Sequence, residues 1–255
     1  MPHRERWEAR EPISPQVRDA FLARFGIDYD DEFNRHMVGR GVGEMFRVIE
    51  ERWPELVTAG VLALTTHSLA QGWPVLGIPA VILHWLNTAL FLALAVPWLT
   101  RWLRFPDAAL QTLKHPVQAN FYPTFSIALL VLSAQWLVFT PWVGVALALW
   151  WLGVALTFVF SFAALFFMFR GEHVAIEHVT PAQFIPAVGL VVMPLAGAPL
   201  LPHMPEALRE LALTVNAVGL GAGSMMYVGL LGITLFRKYL HKPAQGILTP
   251  TVWIH

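Results

Sequence analysis

Residues 116–169 read PVQANFYPTFSIALLVLSAQWLVFTPWVGVALALWWLGVALTFVFSFAALFFMF and contain no Asp, Glu, Lys or Arg. A helix needs about 20 mainly apolar residues to cross the hydrocarbon core of a bilayer, so this stretch is long enough for two such helices. Thr140-Pro-Trp142 divides it near the middle. Because Pro favours a turn between two helices over a continuous one, the stretch predicts a helical hairpin in a membrane.

The same pattern extends on both sides of this hairpin. Residues 56–100, 178–205 and 211–236 also lack charged side chains. Pro, Gly and polar clusters divide the charge-free stretches into six predicted spans, near 55–71, 76–102, 117–139, 143–169, 182–201 and 207–236. A seventh begins near Ile247. The predicted fold class is an all-α integral membrane protein of helical hairpins, with six full transmembrane helices and the start of a seventh.

Composition supports lipid as the solvent for most of the chain. Of its 255 residues, 56% are hydrophobic and only 13% are charged, about half the charged share of a soluble domain. The formal net charge is zero, which gives no electrostatic case for a nucleic-acid partner. The chain has no cysteine, which excludes disulfides, thiolate metal sites and cysteine nucleophiles from it.

The basic residues predict the orientation of the chain. Sixteen of the 17 Lys and Arg residues lie in the first 55 residues or in the connections that follow the second, fourth and sixth spans. The connections on the other side contain only Arg209. Since cytoplasmic loops are enriched in basic residues, we expect a cytoplasmic N-terminus and outer turns at 72–79, 140–142 and 202–206.

Two domains are predicted. Residues 1–54 form a charged cytoplasmic tail with short helices, one starting at Ser14-Pro15 and another over Glu44–Arg52. Residues 55–255 form the membrane domain.

The odd-numbered spans contain more small, polar and Pro residues than the even ones. These residues are Thr58, Gly60, Thr65 and Thr66 in the first span, Asn120, Pro123 and Thr124 in the third, and Pro186, Gly189 and Pro194 in the fifth. One interpretation is close helix packing. The other is a ring of kinked odd-numbered helices around a pore, because backbone groups freed by Pro are tolerated beside a watery cavity.

Ionisable side chains within the spans are functional candidates by default. Apart from Glu55, Arg101, Arg209 and Glu210 near their ends, the spans lack Asp, Glu, Lys and Arg, but they include His67 and His84. Two histidines on neighbouring helices could ligate a haem iron, so a haem-binding electron carrier is an alternative. No paired carboxylates, HExxH motif or Ser/His/Asp set lies where a reaction could use it, so we expect no enzyme activity, catalytic residue, metal or cofactor.

Gly219, Gly221 and Gly223 resemble a phosphate-binding loop only superficially and are better explained by close packing.

Motifs along the chain resemble a known family. Three of them join the second and third spans: Arg104-Phe-Pro-Asp107, Lys114-His-Pro-Val117 and Asn120-Phe-Tyr-Pro-Thr-Phe125. Further matches are Thr180–Gly189, Leu248–His255 and, more weakly, Thr58–Ala63. Together they are similar to the tellurite-resistance/dicarboxylate transporter family, which includes bacterial tellurite-resistance membrane proteins, fungal malate permeases and plant slow anion channels.

The resemblance implies ten helices in five hairpins, of which this chain would be a truncated form, incomplete at its C-terminus. It also implies a homotrimer with a pore in each subunit. Carried over residue by residue, the implied pore-lining residues are Gly60, Pro123, Thr124, Pro186 and Gly189. The implied function is transport of a small anion, such as chloride, nitrate or a C4-dicarboxylate, across the plasma membrane. A channel and a proton-coupled dicarboxylate symporter both stay open, as does a non-transporting remnant or assembly partner.

Overall fold

The computed structural model describes residues 52–113, 118–170 and 181–240, and every regular element within them is helical. The predicted helices of the N-terminal tail and the predicted seventh span lie outside these residues. In chain order the α-helices are α1 (52–70), α2 (Gly77–Arg104), α3 (Pro106–Leu113), α4 (Tyr122–Phe139), α5 (Val143–Arg170), α6 (Ile185–Gly197) and α7 (Glu206–Leu240). Short 3-10 turns precede α2, α4 and α6 at Pro74–Leu76, Gln118–Phe121 and Pro181–Phe184, and a fourth, Ala198–His203, follows α6.

Five helical segments are long and apolar enough to cross a bilayer: Pro74–Arg104, Ala119–Phe139, Val143–Phe167, Pro181–His203 and Glu206–Arg237. They correspond to the predicted spans two to six and cover all or most of α2, α4, α5, α6 and α7. The predicted class, an all-helical multi-pass membrane protein, is therefore confirmed.

The predicted first span is helical but is not one of these five. Thr65, Thr66, His67 and Ser68 reduce the mean hydropathy of α1. Its hydroxyl groups donate to carbonyl oxygens one turn earlier in the same helix, as in the 2.7 Å bond from Thr66 Oγ1 to Leu62 O. These bonds satisfy the hydroxyls without a partner from another helix.

The spans differ sharply in burial. In the 18 most apolar consecutive residues of each span, 72% of residues are buried in the third span and 50% in the fifth. The corresponding shares are 22% in the second span, 33% in the fourth and 22% in the sixth. Helix α4 is therefore central, while α2, α5 and α7 expose large apolar side chains such as Leu92, Phe162 and Val228 to their surroundings. For spans two to six this difference agrees with the sequence-based division into inner odd-numbered and outer even-numbered spans. The first span does not follow it, because only Trp53, Leu56, Gly60 and Ala63 of α1 are buried.

An aromatic cluster joins α1, α2 and α4. The ring of Trp53 lies edge-on to Phe91, Trp98 and Phe125, with centroid distances of 5.7, 6.4 and 4.9 Å. Trp98 stacks on Phe125 at 4.2 Å. Trp53 is only 1% exposed. Because aromatic pairs in these geometries stabilise by about 0.5–1.5 kcal/mol beyond area burial, the cluster fixes the first hairpin against α4.

Glycines allow α7 to approach α6 closely. Pro194 has no N–H, so the helical partner of the Leu190 carbonyl is missing. A methyl group added to Gly219 would lie 2.8 Å from that carbonyl oxygen, and one added to Gly223 would lie 2.8 Å from the oxygen of Ala187. Only glycine fits at either position, which confirms the packing interpretation for Gly219 and Gly223.

The connections that the sequence predicts to be outer lie at or near their predicted positions. Helix α4 ends at Phe139 and α5 begins at Val143, so the turn occupies 140–142. Residues 71–76 connect α1 to α2, and α7 begins at Glu206 after the 3-10 turn Ala198–His203. On the opposite side, the motif Arg104–Asp107 contains the break between α2 and α3 at Phe105, and the Tyr122 hydroxyl donates to the Ala109 carbonyl at 2.9 Å.

Candidate functional site: a polar network around two proline junctions

Pro123 and Pro186 occupy equivalent places in two spans. Each is the second residue of an α-helix, α4 or α6, that directly follows a 3-10 turn. The flanking sequences repeat as well, Ala119-Asn-Phe-Tyr-Pro123 and Ala182-Gln-Phe-Ile-Pro186. Proline is well tolerated in the first turn of an α-helix, where its missing N–H leaves no bond unmade. The kink predicted for each span is therefore a change from a 3-10 turn to an α-helix.

Helix-interior prolines are not confined to the odd-numbered spans. Pro194 lies inside α6, as predicted, but Pro97 lies inside α2. What distinguishes α4 and α6 from α2 is the buried 3-10 turn and proline at the start of the α-helix. Both Pro123 and Pro186 are among the residues less than 2% exposed.

Buried hydroxyl groups bind the backbone of these junctions. Ser126 Oγ donates to the Pro123 carbonyl at 2.8 Å, and Thr157 Oγ1 donates to Ser126 Oγ at 2.9 Å. One turn further along α5, Ser161 Oγ donates to the Pro186 carbonyl at 3.1 Å. Helix α5 therefore supplies hydroxyls to both junctions. We call Ser126, Thr157 and Ser161, with the carbonyls of Pro123 and Pro186, the junction network.

Thr124 and Gly189 lie beside this network. The buried hydroxyl of Thr124 donates to the carbonyl of Phe121, in the 3-10 turn that precedes α4. A methyl group added to Gly189 would lie 3.3 Å from Cγ2 of Thr157 and 3.4 Å from Cγ1 of Ile127. Four of the five predicted pore residues, Pro123, Thr124, Pro186 and Gly189, therefore lie in one region shared by α4, α5 and α6.

Gly60, the fifth, lies elsewhere, against the C-terminal half of α4. A methyl group added to Gly60 would lie 2.6 Å from Nε2 of Gln135, 2.6 Å from Cγ1 of Val131 and 3.1 Å from Nδ2 of Asn87. Two side-chain amides therefore face the notch that glycine leaves in α1. His84 Nδ1 is 3.1 Å from Gln135 Oε1, and Asn87 Nδ2 is 3.5 Å from the same oxygen. We call His84, Asn87 and Gln135 the amide–imidazole cluster.

The two histidines considered as haem ligands both contact Phe139. The His84 ring stacks on it at 4.9 Å, and the His67 ring lies edge-on at 5.0 Å. Among residues 52–113, 118–170 and 181–240, no three His, Asp or Glu side chains lie close enough together to hold a metal ion.

Sequence reasoning did not single out Ser126, Thr157, Ser161, Asn87 or Gln135. Each is a polar residue in an otherwise apolar span, and Thr157 and Ser161 are four residues apart on one face of α5. A search for polar residues at helical spacing within the even-numbered spans could have found that pair. The remaining contacts depend on which helices meet.

Comparison with known proteins tests the resemblance drawn from the motifs. The family model described as voltage-dependent anion channel matches residues 57–255. The chain belongs to this family. This is the tellurite-resistance family suggested by the sequence motifs.

Two relatives from Methanocaldococcus jannaschii are described as uncharacterized transporters. One is 40% identical over 199 residues, covering 77% of this chain and 56% of the relative, and the other is 34% identical over 207 residues, covering 81% and 60%. The chain thus spans somewhat more than half the length of each relative. The family and these relatives are described as channels and transporters rather than enzymes.

Proposed function

We propose that this protein moves small anions across a membrane along a path that passes the proline junctions of α4 and α6. The observation that carries the proposal is the junction network: hydroxyls and backbone carbonyls buried in the centre of an apolar helical domain, around its most buried span. Polar groups at such depth are costly unless they serve packing or a polar path. Because α4 and α6 begin with equivalent junctions, we expect the two helices to line the same path.

The absence of charged residues from the inner spans favours transport over tight binding. Neither residues 118–169, which include α4, nor residues 181–205, which include α6, contain a Lys or Arg that could hold an anion strongly. An anion would meet the N-terminal ends of α4 and α6, whose dipoles favour negative charge. It would also draw on the hydroxyl protons that Thr157 and Ser161 donate within the junction network in its absence. Selectivity would follow from the width of the path and the cost of dehydrating the anion. Chloride and nitrate fit this better than a C4-dicarboxylate, because each carries one charge.

Membrane orientation and assembly are part of the proposal. Arg52, Arg101, Arg104 and Arg237 lie at the helix ends assigned to the cytoplasm, while Arg209 lies near the opposite end of α7. This distribution supports a cytoplasmic N-terminus. We place the protein in the plasma membrane, and the family resemblance favours a homotrimer with one path in each subunit. Native mass spectrometry from detergent micelles would measure the subunit number directly.

Purified protein in liposomes tests the function. Vesicles loaded with chloride, nitrate or malate are diluted into anion-free buffer, with valinomycin and potassium present to compensate charge, and the efflux of each anion is recorded. We expect efflux of chloride and nitrate well above that of protein-free vesicles. Efflux of all three anions at the protein-free level contradicts the proposal, while efflux of malate alone favours the dicarboxylate transporter.

A proton-coupled symporter is the second candidate, and one observation favours it. A buried imidazole, His84, lies within α2 in hydrogen-bond contact with α4. A channel predicts anion efflux that is insensitive to a proton gradient, whereas a symporter predicts accumulation driven by one.

A further inference from the structure

The amide–imidazole cluster is buried between α1, α2 and α4. His84 and Gln135 are both 0% exposed, and Asn87 is 3% exposed. Within the part of the chain that the structure describes, one polar atom of each residue has no hydrogen-bond partner: Nε2 of His84, Oδ1 of Asn87 and Nε2 of Gln135. Because buried polar atoms are normally paired with protein or with ordered water, three unpaired atoms in adjacent side chains indicate a further partner.

The three unpaired atoms belong to one compact group. Oε1 of Gln135 is 3.1 Å from Nδ1 of His84 and 3.5 Å from Nδ2 of Asn87. His84 and Asn87 are three residues apart on one face of α2, and Gln135 reaches them from α4. In each residue the unpaired atom shares a carbon with the atom that makes one of these contacts. All three unpaired atoms therefore lie close to the Gln135 amide.

The types of the unpaired atoms define what the partner must do. Nε2 of Gln135 is an amide nitrogen, which only donates hydrogen bonds, and Oδ1 of Asn87 is an amide oxygen, which only accepts them. The partner must therefore accept one bond and donate another, which neither a halide nor a metal ion does. Nε2 of His84 donates in one neutral tautomer and accepts in the other, and a water molecule can pair with it in both.

The surroundings of the cluster require a small, neutral partner. The rings of Trp85, Trp136 and Phe139 lie with centroids 5.0, 6.0 and 4.9 Å from that of His84. On the side of α1, a methyl group added to Gly60 would lie only 2.6 Å from Nε2 of Gln135. Residues 56–100 and 116–139 contain no Asp, Glu, Lys or Arg that could balance an ion.

We propose that the amide–imidazole cluster binds one water molecule. The water accepts from Nε2 of Gln135, donates to Oδ1 of Asn87 and has Nε2 of His84 as its third partner, and about three bonds are typical of a buried water. It completes the polar contact between α2 and α4, in a domain where lipid offers no hydrogen-bond partner. The inference concerns neither proton transfer nor the anion path, so it stands or falls independently of the proposed function.

Transfer of magnetisation from water to the protein tests the site by solid-state NMR. The protein is perdeuterated, labelled with ¹⁵N-glutamine and placed in liposomes, and the spectrum of Gln135→Met assigns the Gln135 signals. We expect the side-chain amide protons of Gln135 to receive magnetisation from water as fast as those of the exposed Gln71. The backbone amide of Gln135, which lies within α4, is the control for slow transfer. Transfer to the side chain that is no faster than to this backbone amide overturns the inference.

Replacement of Asn87 by leucine tests the assigned partner. The change keeps the approximate size of the side chain but removes the oxygen to which the water donates. We expect transfer from water to the Gln135 side chain to fall at least about threefold, because a water with fewer partners is held less well. Unchanged transfer in folded Asn87→Leu overturns the three-partner site. Where this variant does not fold, the wild-type measurement still decides whether the cluster holds a water.

Thermal unfolding in detergent gives a second comparison. Asn216 on α7 is also buried, and both of its amide atoms are unpaired, so Asn216→Leu is the matched control. It removes an amide that has no partner and should not lower the unfolding midpoint. Asn87→Leu should lower the midpoint, because it leaves the unpaired atoms of Gln135 and His84 without their shared water. A midpoint for Asn87→Leu at or above that of the wild type contradicts a bound water at this site.

None of these measurements requires anion transport. A protein that moves no anion but shows fast transfer at Gln135 contradicts the proposed function and supports the water site. A protein that moves anions but shows slow transfer there overturns the water site alone.

Discussion

Gly60 illustrates what a single missing side chain does in this molecule. Its notch in α1 holds the amide nitrogens of Gln135 and Asn87 and a methyl group of Val131. The family resemblance implies a pore-lining role for Gly60, and that role stays a prediction. The structure adds a packing role, because the amide–imidazole cluster lies directly against it.

Replacement of Gly60 by alanine should destabilise the domain. The new methyl group would lie 2.6 Å from both Gln135 and Val131, and such overpacking costs about 1–3 kcal/mol. Gly221→Ala is the matched control, since a methyl group there meets no atom within 4 Å and alanine favours a helix by about 1 kcal/mol. Thermal unfolding in detergent should give a lower midpoint for Gly60→Ala only. Equal midpoints for the two variants would show that α1 does not pack against Gln135 as described.

Helix α4 is the element around which the others are arranged. Its residues from Tyr122 to Ser133 are all buried, although it is no more apolar than its neighbours. Leu130 is 0% exposed, and its Cδ2 lies 2.9 Å from the position that a methyl group would take on Gly153 of α5. The side chain therefore fills a notch in α5, as Gln135 fills the notch in α1.

Truncation of Leu130 should therefore be costly. Leu130→Ala leaves a cavity between α4 and α5, and buried Leu→Ala changes cost about 2–5 kcal/mol. Leu220→Ala on α7 removes the same atoms from a side chain that is 50% exposed and should have little effect, because lipid replaces the lost contacts. Denaturation in mixed micelles compares the two. Similar losses of stability in the two variants would mean that α4 is not more enclosed than α7.

The helices show how much of the structure could be predicted from the sequence alone. Charge-free stretches and turn residues predicted spans two to six because lipid imposes both length and composition on a crossing helix. The place of the prolines was predicted less well. The sequence marks Pro123 as the site of a kink. Whether this proline interrupts an α-helix or begins one depends on the 3-10 turn before it, and that turn forms against buried neighbours. The partners of Thr157 and Gln135 depend on which helices meet, and no periodicity within one segment contains that information.

At the scale of the whole molecule, orientation is the feature that charge predicts most directly. The chain has no cysteine, so single cysteines can be introduced without removing native ones. Gly72→Cys lies in an exposed turn and Arg104→Cys at the opposite end of α2. A membrane-impermeant maleimide should label Gly72→Cys in intact cells and Arg104→Cys only after permeabilisation. The reverse pattern would place the N-terminus outside and contradict the assignment from basic residues.

The central claim is that anions pass the junction network, and one comparison of efflux tests it most directly. Thr157→Val keeps the shape of the side chain but removes the hydroxyl that donates to Ser126. Thr214→Val makes the same change in α7, where the exposed hydroxyl donates only to the Glu210 carbonyl of its own helix. Both variants should unfold near the wild-type temperature, which is checked first.

Nitrate efflux from liposomes is then measured for the two variants and the wild type. We expect Thr157→Val to lower the rate at least about threefold, because a hydroxyl donor on the path is lost, and Thr214→Val to match the wild type. Equal rates for all three proteins would contradict the claim that the path passes between α4, α5 and α6.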